Sequence, residues 1–594
     1  MSPGEPPAAD GAGVAALGDL AVTQLGDPAV AALAADFWET QLRWDPVYAT
    51  IIGDRRFDDR LEDRTPAARA AYRAQVTALL DRASGLEAVP PADEDRLTLG
   101  ALRSLAEGQV DAVDAGLEDW TVDPIDGIQT FILDLPDYQP IATPEQGAAY
   151  LARIHAIGPA LDALVDRLHA GLAVGRVAVH QPVARVIDEL LETAWAPPAD
   201  WSLVRPAAEL AASNPPGWAP GEADELRRAV EAAISDVVSP AFVRYWEMLR
   251  GVILPATRPP ERPGLLHVPD GDAAYARLSR LHTTTSQRPD ELHRIGLAEL
   301  ERIDAELAAL GRRVLGTQDL PATLARLRAD ATLRFATRDQ ILGAAQANLA
   351  RASAAIPAWF GRLPLAGCEV AAIPAHSEAH QTIAYYSWPA PDGARPGRFF
   401  VNLFEPETRP RYEAAALAFH ESVPGHHLQL AIAQELTGLP AFRRFLGATS
   451  YIEGWGLYSE RLADEMGLYP TDLDRIGILS FDAWRACRLV VDTGLHAFGW
   501  TRDQAIQLLG DHTALGDNNI RNEVDRYIVL PGQALAYKVG QLELLRLRSV
   551  AREALGERFD IRAFHDVVLG SGALPLPVLG RLVERWVTER VAAG

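Results

Sequence analysis

The chain has 594 residues and 48% hydrophobic content, which predicts two to four domains, or one large helical body with two lobes. Its formal net charge of -24 and its pI near 5.0 disfavour binding to nucleic acid and to anionic membranes. The two cysteines, Cys368 and Cys487, are far apart in the sequence, which excludes a disulfide framework and a cysteine zinc ribbon. A bound metal would therefore need His, Asp or Glu ligands.

The N-terminal segment, residues 1–27, is rich in Gly, Ala and Pro and predicts a flexible leader. It lacks a basic start followed by an apolar stretch, so we predict no signal peptide. No run of about 18 uncharged apolar residues occurs, so we predict no membrane span. We expect a cytoplasmic protein without nucleic-acid or membrane partners, and the sequence does not indicate the oligomeric state.

From Ala29 onward, apolar residues recur every three or four positions among strong helix formers, which predicts helices along most of the chain. The predicted helices before residue 254 are 29–53, 66–84, 95–116, 145–172, 182–195 and 222–250. A proline-rich break at 254–263 predicts the boundary between an N-terminal helical half, 28–262, and a C-terminal half, 263–594, which together form one catalytic unit. The helices predicted after it are 289–315, 337–357, 411–423, 426–436, 450–466, 475–498, 502–510, 518–529 and 533–554.

The segment 382–404 has a different pattern. Two aromatic and β-branched runs flank the sequence Pro-Asp-Gly-Ala-Arg-Pro-Gly, which predicts a small antiparallel sheet. The expected fold class is therefore mainly α with one small antiparallel β element. The strand at 383–388 is either a buried hairpin strand or an edge that pairs with an extended peptide.

The most informative pair is His420-Glu421, at the end of an alanine-rich helical segment. It resembles the start of H-E-x-x-H, in which two histidines one turn apart bind zinc and the glutamate activates the attacking water. This pattern makes His420 a candidate ligand for one Zn²⁺ per chain. It makes Glu421 the candidate general base.

The position of the second histidine in that motif is occupied here by Pro424. Proline cannot donate a hydrogen bond to the carbonyl of His420 and crowds it, so the helix must open, and Gly425 permits the bend. Two inserted residues then bring His426 to the ligand position. On an unbroken helix His427 would align better, because seven residues are nearly two turns. We favour His426 and keep His427 as the alternative ligand.

A catalytic zinc usually has three protein ligands and one open position. Glu453 lies 27 residues after His426, which leaves room for one helix, a loop and the start of an antiparallel neighbour. We therefore predict Glu453 as the third ligand. Glu460 lies seven residues further on, on the same helical face, and is a candidate for orienting a ligand histidine from behind.

Two segments carry a family resemblance: His420-Glu-Ser-Val-Pro-Gly-His-His-Leu-Gln429 and Tyr451-x-Glu-Gly-Trp-Gly-Leu-Tyr-x-Glu460. They are similar to the signatures of the bacterial domain-of-unknown-function 885 family. The likeness extends through 485–496 and 526–540 and more weakly to 45–54. That family resembles, more distantly, helical zinc peptidases such as angiotensin-converting enzyme and the thimet-type oligopeptidases.

The resemblance implies a mostly α-helical body with a long cleft and zinc at its floor. It implies His420, His426 and Glu453 as ligands and Glu421 as general base. The activity that follows is hydrolysis of peptide bonds, most simply those of short peptides.

The reaction also needs a donor to the developing oxyanion, for which Tyr537 is the first candidate and His496 the second. Gln533 lies four residues before Tyr537, on the same helical face. A substrate carboxylate needs a cation. The candidates for that role are Lys538, Arg526, Arg488 and Arg485.

Three alternatives to a peptidase remain open at the level of sequence. The same site would serve a dedicated amidase that acts on one small molecule or biosynthetic intermediate. Two histidines and a carboxylate also form an iron triad, although Glu421 beside His420 argues against an oxygenase. The third alternative is a catalytically inactive protein that binds peptides.

Overall fold

The computed structural model describes residues 25–593 apart from 88–92, 214, 376–377, 379–381, 391–392 and 394, so most of the predicted leader lies outside the described residues. The fold is mainly α, as predicted. The helices of the first part of the chain are α1 (Pro28–Trp44), α2 (Pro46–Ile51), α3 (Pro66–Glu87), α4 (Asp93–Ala115), α5 (Ile128–Leu133), α6 (Leu135–Tyr138), α7 (Pro144–Ala173), α8 (His180–Thr193), α9 (Arg205–Ser213), α10 (Glu222–Ala233), α11 (Ser239–Met248) and α12 (Leu254–Ala256).

The second part of the chain carries the helices that surround the candidate site. They are α13 (Gly271–Thr283), α14 (Pro289–Leu315), α15 (Leu320–Ala329), α16 (Arg338–Ala355), α17 (Ala414–Glu421), α18 (His426–Glu435), α19 (Ala441–Phe445), α20 (Thr449–Glu465), α21 (Asp472–Ala497), α22 (Arg502–His512), α23 (Asp517–Val529), α24 (Leu535–Leu555), α25 (Ile561–Leu569) and α26 (Leu576–Ala592).

The small sheet has three strands, β1 (Cys368–Ala372), β2 (Ala384–Ser387) and β3 (Gly397–Val401), in the order β1-β3-β2. The predicted antiparallel pair is present as β2 and β3. The sheet as a whole is mixed, because β1 pairs with β3 in parallel. The prediction lacked β1 because its short Cys-Glu-Val-Ala-Ala sequence has no strong strand pattern.

Two large apolar clusters form the core. One combines α1, α3 and α4 with helices of the second part of the chain, including α17, α20, α21 and α24. The other is built almost wholly from residues 122–253. Helices α1, α3 and α4 therefore share a core with the second part of the chain. The boundary predicted between residues 262 and 263 stays a prediction.

Helix α21 is the most deeply buried helix around the site, with every residue from 476 to 496 buried. It begins at a capping box in which Thr471 Oγ1 accepts a hydrogen bond from the Asp474 N–H while the Asp474 carboxylate accepts one from the Thr471 N–H. Helix α14 packs along it. Despite this burial α21 carries several charged side chains. None of the described helices is long and apolar enough to cross a membrane.

An ionic network joins α21 to its neighbours around Lys538, the only lysine of the sequence. The Lys538 ammonium donates to Asp482 on α21, to Glu299 Oε2 on α14 at 3.0 Å, and to Gln541 Oε1 at 2.8 Å. Arg461 on α20 donates to the same Asp482 carboxylate from Nε at 3.1 Å. The pKa of Asp482 is lowered, because the charges of Lys538 and Arg461 outweigh the effect of burial. Three acceptors thus match the three donors of one ammonium group.

We expect Lys538→Arg to destabilise the protein although the charge is kept, because a planar guanidinium does not fit a pocket built for a compact ammonium. Lys538→Met should destabilise it further, by about 3–5 kcal/mol, since it leaves buried carboxylates without their partner. Thermal unfolding followed by circular dichroism measures both effects. The exposed Arg294→Lys is the matched control and should unfold like the wild type. Wild-type unfolding of Lys538→Arg would contradict the argument.

Candidate metal centre

Three helices meet at the candidate metal centre. Helix α17 ends with His420 and Glu421, α18 begins with His426, and α20 carries Glu453 in its second turn. A nitrogen of each histidine and a carboxylate oxygen of Glu453 lie within 4.8 Å of one another. The structure therefore brings together the three residues that the sequence predicts as ligands.

The break between α17 and α18 has the form expected from Pro424. The Val423–Pro424 peptide bond is cis, and Gly425 follows with a φ of -81°. Glycine is needed here for space rather than for a left-handed backbone, because a Cβ would lie 1.9 Å from the His420 carbonyl oxygen. The carbonyl of Pro424 accepts hydrogen bonds from Trp455 Nε1 at 2.9 Å and from Ser459 Oγ at 3.1 Å. Helix α20 thus fixes the break in place.

The spacing of the donor atoms suits a zinc ion. Glu453 Oε2 lies 3.6 Å from His420 Nε2 and 3.7 Å from His426 Nε2. A tetrahedral ion with bonds of about 2.0–2.1 Å separates its ligand atoms by about 3.3 Å, so these distances need to change by only a few tenths of an ångström. Two imidazoles and one carboxylate also match the donor set of a catalytic zinc with one open position.

A hydrogen bond to the Glu460 carboxylate holds the His420 ring in one orientation. Its Nδ1 lies 2.8 Å from Glu460 Oε1, which leaves Nε2 directed at the ligand group. A carboxylate in this position fixes the tautomer of a metal-binding histidine and strengthens it as a ligand. Gly456 completes the arrangement, because a Cβ at that position would lie 2.5 Å from His420 Cε1.

His427 points away from the ligand group. Its Nδ1 lies 2.8 Å from the Tyr386 hydroxyl on β2, and its Nε2 lies 3.1 Å from the carbonyl oxygen of Ala366. Both ring nitrogens are therefore engaged in anchoring the small sheet to α18. This geometry favours His426 over His427 as the second ligand.

The ionisable groups of the centre perturb one another strongly. Burial lowers the pKa of His420, but hydrogen bonds to the Glu453 and Glu460 carboxylates outweigh it and raise the pKa to about 10. Burial raises the pKa of Glu453, but His420, His426 and Arg488 outweigh it and lower the pKa to about 2. His426 has a pKa lowered to about 4 by burial and by the His420 charge. The neutral His426 and the ionised Glu453 are the forms that bind a metal.

The pKa of Glu421 reflects both its burial and the charged groups around it. Burial raises its pKa, the charges of His420 and Arg485 lower it, and the Glu453 carboxylate raises it again, to a value of about 7. A base with a pKa near the working pH exchanges protons most effectively. Its position directly after His420 places it beside the ligand group.

The arginines predicted to bind a carboxylate differ in their surroundings. Arg488 donates from Nε to the Tyr527 hydroxyl at 3.0 Å and from Nη2 to Glu523 at 2.9 Å. Arg526 Nη2 lies 3.4 Å from Gln533 Oε1. Arg485 is buried on α21, and no hydrogen bond or ion pair to any described residue is found for it.

Tyr537 lies beside this cationic group. Its ring covers the guanidinium of Arg488, with 4.4 Å between the guanidinium carbon and the ring centroid. Its hydroxyl lies 3.5 Å from Gln533 Nε2. Helix α24 packs closely against α20 where Gly454, next to Glu453, meets Gly540, about one turn after Tyr537. The role of Tyr537 as oxyanion donor stays a prediction.

His496 and Lys538 are not brought to the centre. His496 Nδ1 accepts a hydrogen bond from the Leu265 N–H at 3.1 Å, and its Nε2 donates to the Tyr527 carbonyl at 2.9 Å. Both nitrogens are thus used in packing, which corrects the prediction that His496 is an oxyanion donor. Lys538 is fully buried in the ionic network of α21, which corrects the prediction that it binds substrate.

Three residues that organise the centre were not predicted from sequence. Tyr386 holds His427, while Trp455 and Ser459 hold the Pro424 carbonyl. Trp455 and Ser459 share a face of α20 at a spacing of four, which is the one sequence signal that joins them. Tyr386 has no comparable signal, because its contact depends on how the sheet docks against α18.

A family model described as "Bacterial protein of unknown function (DUF885)" matches residues 46–583. The chain belongs to this family. The match confirms the resemblance drawn from the two motifs and extends it over most of the chain. A comparison with curated protein sequences finds no match.

Solved structures share the fold. A "putative lipoprotein" from Colwellia psychrerythraea is 26% identical, with a TM-score of 0.87, covering 94% of this chain and 99% of that one. A "putative lipoprotein of unknown function" from Shewanella oneidensis is 17% identical, with a TM-score of 0.72, covering 93% and 99%. A "putative oligoendopeptidase F" from Bacillus anthracis str. Ames aligns at 11% identity over 96% of each chain, and its TM-score of 0.32 supports no inference.

We expect His426→Ala to weaken zinc binding by at least about 100-fold, because it removes a direct ligand. His427→Gln is the matched control and should weaken it by less than about tenfold. Glu460→Gln should fall between them, at about 10–100-fold, because it removes the group that orients His420. Competition for zinc with a fluorescent chelator measures all three affinities. A larger loss in His427→Gln than in His426→Ala would reverse the ligand assignment.

Proposed function

We propose that this protein is a zinc-dependent hydrolase that cleaves peptide bonds of short peptides. The observation that carries the proposal is the grouping of His420, His426 and Glu453 with Glu421 directly beside it. Zinc, when bound, would acidify water and polarise the substrate carbonyl. The chain itself would supply the base, the orientation of the ligands and a donor for the developing charge.

Glu421 would perform two proton transfers in turn. It first takes a proton from the attacking water, as the glutamate beside the first histidine does in the H-E-x-x-H pattern. The oxygen of that water forms a bond to the carbonyl carbon, and the C–N bond then breaks. Glu421 returns the proton to the leaving amine, so that one water and one amide yield a carboxylic acid and an amine.

The burial of the centre favours small substrates. The exposed fractions of the ligand side chains are 4% for His420, 10% for His426 and 20% for Glu453. Strand β2 ends the order β1-β3-β2, so its outer edge is free of a partner strand among the described residues. Because β2 packs against α17, a peptide added along this edge would lie beside the helix that ends with His420 and Glu421.

The same burial also supports a second candidate function, a dedicated amidase for one small molecule. Both functions use the same ligands and the same base. They differ in whether many short peptides or a single compound are turned over.

We expect Glu421→Gln to abolish turnover and to leave zinc bound, because the amide side chain cannot take the proton of water. The measurement is mass-spectrometric digestion of a diverse short-peptide library by the zinc-loaded protein, with metal content determined for both forms. Glu407→Gln is the control, since Glu407 lies on a short surface helix before α17. Undiminished cleavage by Glu421→Gln would refute the mechanism. Bound zinc without cleavage by the wild type would favour the dedicated amidase or a peptide-binding protein.

We expect Tyr537→Phe to lower kcat by about 10²–10³-fold, because it removes a hydroxyl that donates only to the developing oxyanion. KM and zinc content should change little. Steady-state kinetics on a peptide cleaved in the library assay provide the test. A change confined to KM would assign Tyr537 to substrate binding instead.

A further inference from the structure

Two aromatic side chains stack on the open face of the small sheet. The Tyr385 ring on β2 lies on the Phe400 ring of β3, with 4.8 Å between the ring centroids, and the register makes the two residues direct partners. Residues of the opposite face, among them Phe399 and Val401, are buried against α16 and α17. Tyr385 by contrast is 37% exposed. The pair lies outside the core of the sheet and offers a partly open apolar surface.

The charged residues next to this aromatic pair neutralise each other. Arg398 Nε on β3 donates to Glu369 Oε1 on β1 at 2.6 Å, and both side chains lie on the same open face as Phe400. The aromatic surface is thus bordered by a closed ion pair. An aromatic or aliphatic side chain is the ligand group that such a surface accommodates best.

The hydrogen-bond pattern of β2 shows how a peptide would reach this surface. The Asn402 N–H donates to the Ile383 carbonyl at 3.0 Å, so the alternation of an antiparallel pair directs the backbone groups of Ala384 and Tyr386 to the outer edge. The Ala384 carbonyl accepts a hydrogen bond from Thr382 Oγ1 at 3.0 Å. A peptide added in the antiparallel sense would therefore pair first with Tyr386.

The peptide residue next to that pairing would lie directly opposite Tyr385. The two residues would form a pair without mutual hydrogen bonds, in which the Cα atoms are only about 4.5 Å apart and the side chains are closest. Both side chains would lie on the open face of the sheet, because side chains alternate between faces in register. The side chain of this peptide residue would thus contact the Tyr385 ring.

The outer edge of β2 is fixed relative to the candidate metal centre. Strand β2 packs against α17, and the Tyr386 hydroxyl lies 2.8 Å from His427 Nδ1 at the start of α18. Gly397 on β3 leaves no slack at this contact, since a Cβ there would lie 2.4 Å from the Tyr386 hydroxyl and 2.6 Å from His427 Nδ1. The edge is thus held against both helices that carry the candidate histidine ligands.

We propose that Tyr385 and Phe400 form a side-chain subsite that selects short peptides with an aromatic or large aliphatic residue at one position of the bound strand. This inference rests on the proposed hydrolase function and specifies its substrate class. The peptide lies along the outer edge of β2 and pairs with the backbone of Tyr386. Because the edge is fixed, the selected residue lies a constant number of residues from the cleaved amide.

The first test is a digestion of a diverse short-peptide library by the zinc-loaded protein, with the products aligned on the cleaved bond. The wild type should favour Phe, Tyr, Leu and Ile at one aligned position by about tenfold over Ser and Asp. Tyr385→Ala should remove this preference and leave the other positions unchanged, whereas Tyr385→Phe should retain it. Trp195→Ala is the matched control, because Trp195 is an exposed member of another aromatic pair, and it should keep the wild-type preference.

Backbone pairing is tested with one well-cleaved peptide that carries a single N-methyl group at successive amides outside the cleaved bond. Methylation of the amide that pairs with Tyr386 should slow cleavage by about tenfold or more, because it removes a donor and crowds the edge. Methylation of the adjacent amides should have a smaller effect. Equal tolerance of methylation at all positions would overturn the strand arrangement.

A binding measurement separates this inference from the proposed hydrolysis. Zinc-loaded Glu421→Gln is incubated with the library, and retained peptides are identified after ultrafiltration. Retention of peptides with aromatic or aliphatic residues, lost in Glu421→Gln/Tyr385→Ala, would support the subsite even if the wild type cleaves nothing. Retention that does not depend on Tyr385, or no retention, would overturn it, even if the wild type cleaves peptides.

Two further results would also overturn the subsite. One is equal slowing of all peptides by Tyr385→Ala, which would indicate a general structural role. The other is a concentration-dependent dimer in light scattering that Tyr385→Ala disrupts, without any peptide preference. That result would assign the edge of β2 to a second copy of the chain.

Discussion

The organisation of this protein depends on matching charges inside a helix that is buried on all sides. Helix α21 is covered from residue 476 to residue 496, yet acidic, basic and imidazole groups occur along it. Asp482 is neutralised by Lys538 and Arg461, and Asp492 accepts hydrogen bonds from the Tyr275 hydroxyl and from the backbone of Gly532. Each pairing fixes the rotation of α21 about its axis. The helix is therefore held in one orientation relative to α14, α20 and α24.

The candidate metal centre depends on an interruption of regular structure. His420 lies at the end of one helix and His426 begins the next, so the two imidazoles meet edge to face with ring centroids 4.6 Å apart. The glycines on both sides of this contact leave room for a backbone oxygen and for an imidazole. Helix α20 contributes the candidate ligand Glu453, the Glu460 carboxylate that bonds to His420, and the hydrogen bonds that hold the break. One helix thus determines both the position and the orientation of the other two.

Much of this organisation could be predicted because it is local. The 3.6-residue periodicity identifies the long helices, and the chemistry of Pro424 explains why His426 rather than His427 approaches Glu453. The rest depends on contacts between distant segments. Strand β1 becomes a strand by pairing with β3, and α1, α3 and α4 join the core of the second part of the chain. The sequence predicted a catalytic role for His496 because nothing in the neighbouring residues shows that both ring nitrogens bond to backbone groups of distant segments.

The burial of Lys538 has a consequence for the chemical reactivity of the whole molecule. Every other basic side chain apart from histidine is an arginine, so the ε-amino group of Lys538 is the only one in the sequence, and it is fully enclosed. Acylating reagents, amine-directed cross-linkers and enzymes that attach tags to lysine need an accessible, deprotonated amine. In the folded protein the one side-chain amine of this sequence is therefore shielded from such reagents.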